Sequence, residues 1–227
     1  MKKIFTSVDI GSDTVKILVG EAVNDKINVL ANTVIKSKGI RKGLVIDSNL
    51  VINTIKDGLK IINDELGFQI KKVIVNVPNY NSKFMYVTGN IDIEGAVTTD
   101  NINRVIKTSV YNKIDDDYEL VTVIPISFLV DDNEVSGSPI NLEGSKLGVK
   151  GIMITVPKKN IYSVIGVIEG AGLEVVEISV SGLSDYYEVR NSRLDSKFGA
   201  IINLGHETTN VSIISEGGCP TTTSFQH

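Results

Sequence analysis

Residues Ser7 to Gly20 read SVDIGSDTVKILVG, and the fold follows from how this stretch is parsed. The mostly apolar run Ile4–Ile10 predicts a strand, Gly11-Ser12-Asp13-Thr14 a turn, and the alternating run from Val15 a returning strand. Around the turn stand a carboxylate (Asp9), two hydroxyls (Ser12, Thr14) and a cation (Lys16). Gly11 has no Cβ, so a ligand can approach the backbone N–H groups there. Successive N–H groups in a tight turn form an anion nest. Lys16 offers a point charge to phosphate and Asp9 a ligand for hydrated Mg2+. Alone, such a stretch is equally well an ordinary polar hairpin.

A second copy changes the balance. Ile202–Ile214 reads INLGHETTNVSII; laid beneath the first stretch, Asp9 falls on Asn203, Gly11 on Gly205, Asp13 on Glu207 and Thr14 on Thr208. Two strand-turn-strand units of equal internal spacing predict a duplicated fold with two facing phosphate-gripping hairpins.

Composition sets the frame. The chain has 227 residues, 42% of them hydrophobic, enough for a sizeable core. A net charge of −4 argues against a nucleic-acid partner. Cys219 is the lone cysteine, which excludes a disulfide framework and fits a reducing compartment; His206 and His227 make no metal-ligand pattern. No apolar run approaches the ~20 residues that span a bilayer.

Along the chain, a third strand is expected over Lys26–Ile35, after a turn at Asn24-Asp25. Ser37–Gly43 is a polar connection whose glycines and basic residues (Lys36, Lys38, Arg41, Lys42) could touch phosphate, though a solvated loop is the favoured reading. Asp47–Leu66 predicts a helix: Asp47 or Ser48 caps it, Ile52, Ile55, Leu59, Ile62 and Leu66 form one stripe, and Gly67 stops it. Val73–Val77 predicts a strand covered on most of both faces. Past the turn cluster Pro78–Ser82 the pattern changes. A short strand is expected over Phe84–Thr88, a helix from Thr98 or Thr99 to about Asn112, and a strand over Leu120–Val130 that lies at an edge or bulges at Pro125. Polar turns over Asp131–Lys146, a strand over Val149–Val156 and a helix over Asn160–Gly170 complete a small α+β unit, roughly 83–167, inserted into the first domain. Val175–Val180 is a strand, Ser184–Arg190 the start of a helix and Phe198–Asn203 a strand, while Glu216–Pro220 with TTTSFQH reads as a turn and a tail.

Asp9–Lys16, DIGSDTVK, resembles the first phosphate motif of the actin-like ATPases, D-x-G-[ST]-x-x-x-K, and Asn203–Asn210, NLGHETTN, resembles their second, D-[IL]-G-G-G-T-T-D. Ile124–Asp131, IPISFLVD, is similar to the strand LPQEYIVD of the FtsA family, and Ile168–Val175, IEGAGLEV, to its VERAGLEV. In order and spacing the chain resembles the front part of FtsA, the actin-like protein of bacterial cell division. The resemblance implies an α/β fold: an actin-like (ribonuclease H-like) mixed sheet with flanking helices, an inserted α+β subdomain (1C-like) and only the start of a second actin-like domain. Residues 1–82 and 168–197 would form the first domain (1A), 83–167 the insertion, and 198–227 the truncated start of the second domain (2A). It implies ATP with Mg2+ as cofactors, phosphate contacts from Asp9, Gly11, Ser12, Asp13, Thr14, Lys16, Asn203, Gly205, Thr208 and Thr209, and Asp9 with Asn203 around the metal. It implies filament formation by self-association, FtsZ and other division proteins as partners, and a cytoplasmic place at the inner face of the membrane at the division site. The resemblance also implies membrane contact only through a C-terminal helix, expected to be absent here.

The second hairpin departs from the family pattern. Asn203 is neutral where the family has Asp, and His206 and Glu207 replace glycines. Glu207 is expected to bring a carboxylate near the γ-phosphate, where like charges repel; His206 reads as a surface turn residue. The water-positioning acid of some actin-like ATPases falls at Ser181, which is not an acid. The expectation is weak ATP binding and at most weak hydrolysis, with no catalytic residue assigned. Phe198–His227 is too short to form a domain alone, so a fragment or truncated form is expected. Two other readings remain: a nucleotide-independent scaffold, and a sugar or acetate kinase of the same superfamily.

Overall fold

The computed structural model of the chain describes residues 3–24, 26–191, 198–215 and 220–227. β1 (Lys3–Ile10), β2 (Thr14–Val23) and β3 (Lys26–Lys36) form an antiparallel meander in which Asp9 stands opposite Lys16. The polar connection that follows holds a small hairpin, β4 (Ile40–Arg41) and β5 (Leu44–Val45), turned at Lys42 and Gly43, both with positive φ. α1 (Ser48–Leu66) begins where the Asp47 carboxylate accepts from the Leu50 N–H at 3.1 Å and ends at Gly67, φ 73°. These are the cap and left-handed stop that the sequence predicts. Its buried stripe (Val51, Ile55, Leu59, Ile62) lies on the meander, where Gly58 lets the ends of Ile17 and Ile35 come close.

β6 (Lys72–Val77) runs parallel to β1, and β11 (Glu174–Val180) runs parallel to β6, so the mixed five-stranded sheet has the order β11-β6-β1-β2-β3. Between β6 and β11 the chain builds β7 (Lys83–Ala96), α2 (Thr99–Val110), β8 (Tyr118–Val130), β9 (Asn133–Val135), β10 (Glu143–Pro157) and α3 (Lys158–Gly170). A four-stranded sheet, β7-β10-β8-β9, carries α2 on one face. Pro125 marks an irregularity in β8, as expected: Ser127 pairs with Lys150 but Pro125 with Gly151, leaving Ile126 as the extra residue. β7 is far longer than the short strand expected. The strand runs on through Gly89, where a Cβ would meet the Ser109 backbone N at 2.7 Å, so this glycine admits α2 onto the strand. The residues expected as polar turns after Asp131 include β9 and the start of β10.

The core is shared. Val8, Ile17, Ile55 and Val75 from the first sheet and α1 pack in one cluster with Ile152 and Ile154 of β10 and Ile161, Val164 and Ile168 of α3. A second cluster, around Ile93, Val105 and Leu147, seals α2 to its sheet.

α4 (Ser181–Val189) follows β11 directly and leads to a three-stranded sheet of β12 (Gly199–Leu204), β13 (Thr208–Ile214) and β14 (Pro220–Gln226). The tail expected after Pro220 is therefore a strand. Its β-branched run pairs with β13, and the Thr222 and Ser212 hydroxyls meet at 2.8 Å in the interior. The turn and cysteine expected at 216–219, Asp25, and the stretch 192–197 lie outside the described residues. No described helix is long and apolar enough to cross a membrane.

Candidate phosphate-binding site

β1, β6 and β11 run parallel, and their C-terminal ends converge where an open α/β sheet characteristically takes its ligand. A cavity of about 400 Å3 opens there, lined on one side by the first hairpin and on the other by the second. The two turns close alike: the Gly11 N–H donates to the Thr14 carbonyl at 3.0 Å, and the Gly205 N–H to the Thr208 carbonyl at 2.8 Å. A Cβ would crowd that same carbonyl oxygen at both places, at 3.0 Å on Gly11 and 2.8 Å on Gly205, the latter closer than real Cβ atoms come.

Of the residues expected at phosphate, Asp9, Gly11, Ser12, Asp13, Thr14, Lys16, Asn203, Gly205 and Thr208 line the cavity; Thr209 does not. Strand alternation explains the exception: Thr208 and Asn210 share one face of β13 and Thr209 takes the other. The Gly11 N–H itself closes the turn and is spent on the Thr14 carbonyl. Within the two turns, no acceptor among the described residues is seen for the N–H groups of Ser12, Asp13, His206 and Glu207. Each turn thus keeps two donors.

The side chains are differently engaged. Lys16 and Asp9 form an ion pair at 3.4 Å with both groups about half exposed, so the ammonium is reachable from the cavity. Asp13 binds the Lys36 ammonium, which, with help from His206, holds its carboxyl below the ordinary range. Glu207 departs from its expected place and is not a lining residue. Its Oε2 accepts from the Lys42 N–H, while the Gly43 N–H donates to Ser12 Oγ at 2.8 Å. The Lys42 N–H and the Ser12 hydroxyl hold the Glu207 carboxyl ionised below its usual range, with Arg41 and His206 assisting. The β4–β5 turn, read from sequence as a solvated loop, is a latch joining the two hairpins. His206 lines the cavity beside it.

Four further residues emerge only in three dimensions. Asn76 and Asn79 from the end of β6, Asn210 of β13 and Asp185 of α4 all line the cavity. Asn76 Oδ1, Asn79 Nδ2 and Asn210 Oδ1 are buried without a hydrogen-bond partner, and Asn79 is only 2% exposed. A buried polar atom without a partner is costly, so three at one cavity suit a polar, charged ligand such as a magnesium-bound phosphate chain. A larger cavity of about 710 Å3 lies between β8 and β11, but walls such as Val121, Val123, Ile165 and Val176 offer little to phosphate.

Comparisons with known proteins bear on the fold and the insertion. Residues 81–155 match the family described as the SHS2 domain inserted in FtsA. The chain superposes on the PilM–PilN type IV pilus biogenesis complex with a TM-score of 0.66 at 15% identity, covering 98% of this chain and 61% of that one. On the ethanolamine utilization protein EutJ of Carboxydothermus hydrogenoformans the TM-score is 0.52 at 15% identity, covering 99% and 52%. Fold and insertion define an actin-like chain of α/β class. Its sequence relatives are cell division proteins FtsA: 29% identity with that of Streptococcus pneumoniae over 92% of this chain and 47% of the relative, and 23% with that of Bacillus subtilis over 95% and 50%. The chain is similar to these FtsA proteins along most of its length, and it spans about half the length of the curated relatives it matches.

Proposed function

We infer that this chain is the phosphate-gripping part of an FtsA-like division protein that binds ATP with Mg2+ between its two halves. The observation that carries this reading is the pair of identically closed hairpins lining one cavity. Lys16 and the free N–H groups of both turns take the phosphate charge. Asp9 would hold the metal through its water shell, and the metal when bound would supply charge neutralisation to the phosphates. The unpartnered Nδ2 of Asn79 would donate to a phosphate oxygen, and the unpartnered Oδ1 atoms of Asn76 and Asn210 would accept from the metal's water shell. On this reading residues 1–82 with 168–197 form the first actin-like domain, 83–167 the insertion and 198–227 the start of the second. Self-association into filaments, contact with FtsZ and placement at the membrane of the division site are proposed by kinship with FtsA.

A second reading draws on the latch. Because Glu207, Ser12 and the Lys42-Gly43 turn already join the hairpins, the fold holds its two halves together without nucleotide and could serve as a scaffold alone.

Thermal unfolding with and without Mg-ATP separates the two, on this chain and on a version extended through a complete second domain. A ligand bound only by the folded state raises stability by about 2.7 kcal/mol at a hundredfold excess over Kd. A shift in the extended protein supports the nucleotide reading; no shift in either replaces it with the scaffold.

A further inference from the structure

The second hairpin has lost its carboxylate: Asn203 stands where its counterpart in the first hairpin is Asp9. The cavity has not lost it. Asp185, in the middle of α4, lines the same cavity, and its Oδ2 accepts from Asn203 Nδ2 at 3.0 Å. α4 spans the two halves here. Ser181, one turn earlier on the same face, accepts at Oγ from Asn76 Nδ2 at 3.1 Å on the first sheet, while Asp185 reaches β12 of the second. Asn203 thus spends a donor on the carboxylate, leaving the other Asp185 oxygen for a ligand. The unpartnered Asn79 amide, 98% buried by the exposure above, marks the same cavity as built for a polar guest.

We propose that Asp185 supplies from α4 the second carboxylate for a phosphate-bound divalent cation, with Asn203 as the residue that positions it. This rests on the phosphate reading of the cavity. Magnesium is held by one or two carboxylates together with substrate phosphates and retained waters. Asp9 and Asp185 both line the cavity and would provide that pair, and no cluster of three or more acidic or His/Cys ligands exists among the described residues to provide it otherwise. The role is one of charge relocation: the hairpin gave up its acid, and the helix behind it carries one instead.

The test uses inorganic tripolyphosphate as the probe, which needs no adenosine pocket, with and without Mg2+, titrated calorimetrically into the 227-residue chain. Wild type is expected to bind more tightly with Mg2+. Asp185→Asn is expected to lose that metal-dependent gain by about 10- to 100-fold, while binding without metal is unchanged or tighter, because a carboxylate facing phosphate repels it. A merely structural role for Asp185 would weaken both. The exchanged pair Asp185→Asn with Asn203→Asp is expected to recover the gain. Should Asp185→Asn fail to fold, Mn2+ in place of Mg2+ reads the wild type directly, and broadening of the Asp9 and Asp185 amide resonances together is expected. A full Mg2+ gain in Asp185→Asn, or Mn2+ broadening at Asp9 with Asp185 untouched, overturns the proposal and leaves the phosphate site standing. Absence of tripolyphosphate binding with or without metal defeats the phosphate reading and this proposal with it.

Discussion

In the first hairpin the residues flanking the turn, Asp9 and Lys16, face each other in register as an ion pair; in the second, their counterparts Asn203 and Asn210 face each other with no charge at all. Yet both turns close through the same glycine-to-threonine hydrogen bond. The difference separates two things that a phosphate motif bundles together. The cradle is a backbone property, fixed by a glycine and its spacing to the return strand. The charge is a side-chain property, and it can be lost from a hairpin or relocated to a neighbouring helix without unmaking the turn. The sheets behind the hairpins differ as well. Val8, Val15 and Val19 are fully buried between layers, whereas Ile202 and Leu204 of β12 are 61% and 77% exposed. The second sheet is held to the rest on its β13–β14 face, against α4.

That attachment gives the largest expected effect. A Cβ on Gly182 would lie 2.1 Å from Thr222 Oγ1 and 2.7 Å from Ser212 Oγ. Gly182→Val is expected to destabilise the chain by about 1–3 kcal/mol in denaturant unfolding, with the second sheet losing amide protection first. Gly166→Ala, in α3 with nothing within 4 Å, serves as the control and is expected to stabilise by about 0.5–1 kcal/mol. Equal effects of the two would remove α4 as the hinge of the comparison.

The charge asymmetry comes next. Lys16→Ala is expected to abolish stabilisation by Mg-ATP or tripolyphosphate while changing unliganded stability by only about 0–1 kcal/mol, since its pair with Asp9 is exposed. Asn210→Ala at the matching place is expected to reduce ligand stabilisation by only about one hydrogen bond's worth, ~1 kcal/mol. Equal losses would mean that the second hairpin carries as much of the grip as the first.

The latch gives the smallest effect, and a pH-dependent one. Glu207 has a folded-state pKa below its ordinary 4.5, chiefly through the Lys42 N–H. Its stabilising contribution is therefore present above that ordinary value and fades as pH falls through the lower, folded one. The melting temperatures of wild type and Glu207→Gln are expected to differ at neutral pH and to converge in acid. A constant difference would show that the latch does not depend on the charge.

Much of this was readable from the chain. The glycine, threonine and β-branched spacing of the two hairpins reported local backbone geometry, so the duplication and nine of the ten expected contact residues fell at one cavity. The α1 caps were legible for the same reason. What sequence could not report was long-range placement. Asp185 lies one helical turn past Ser181, the position searched for an acid, and only the packing of α4 against β12 makes it a cavity residue. Glu207 reads as a like charge near phosphate until the fold supplies the Lys42 N–H that turns it away. The length of β7 was missed because the close approach of α2 at Gly89 is a long-range contact that the local sequence does not report. A search at i+4 for an acid on α4 would have found Asp185.

The most direct measurement is a two-dimensional amide NMR titration of the chain with Mg2+-tripolyphosphate, read at Ser12 and Asp13 on one turn and His206 and Glu207 on the other. These are the N–H groups that each turn leaves free. A shared site predicts that both sets shift together along one binding curve. Movement of the first set alone, or of neither, would contradict the claim that the two hairpins grip a single phosphate chain.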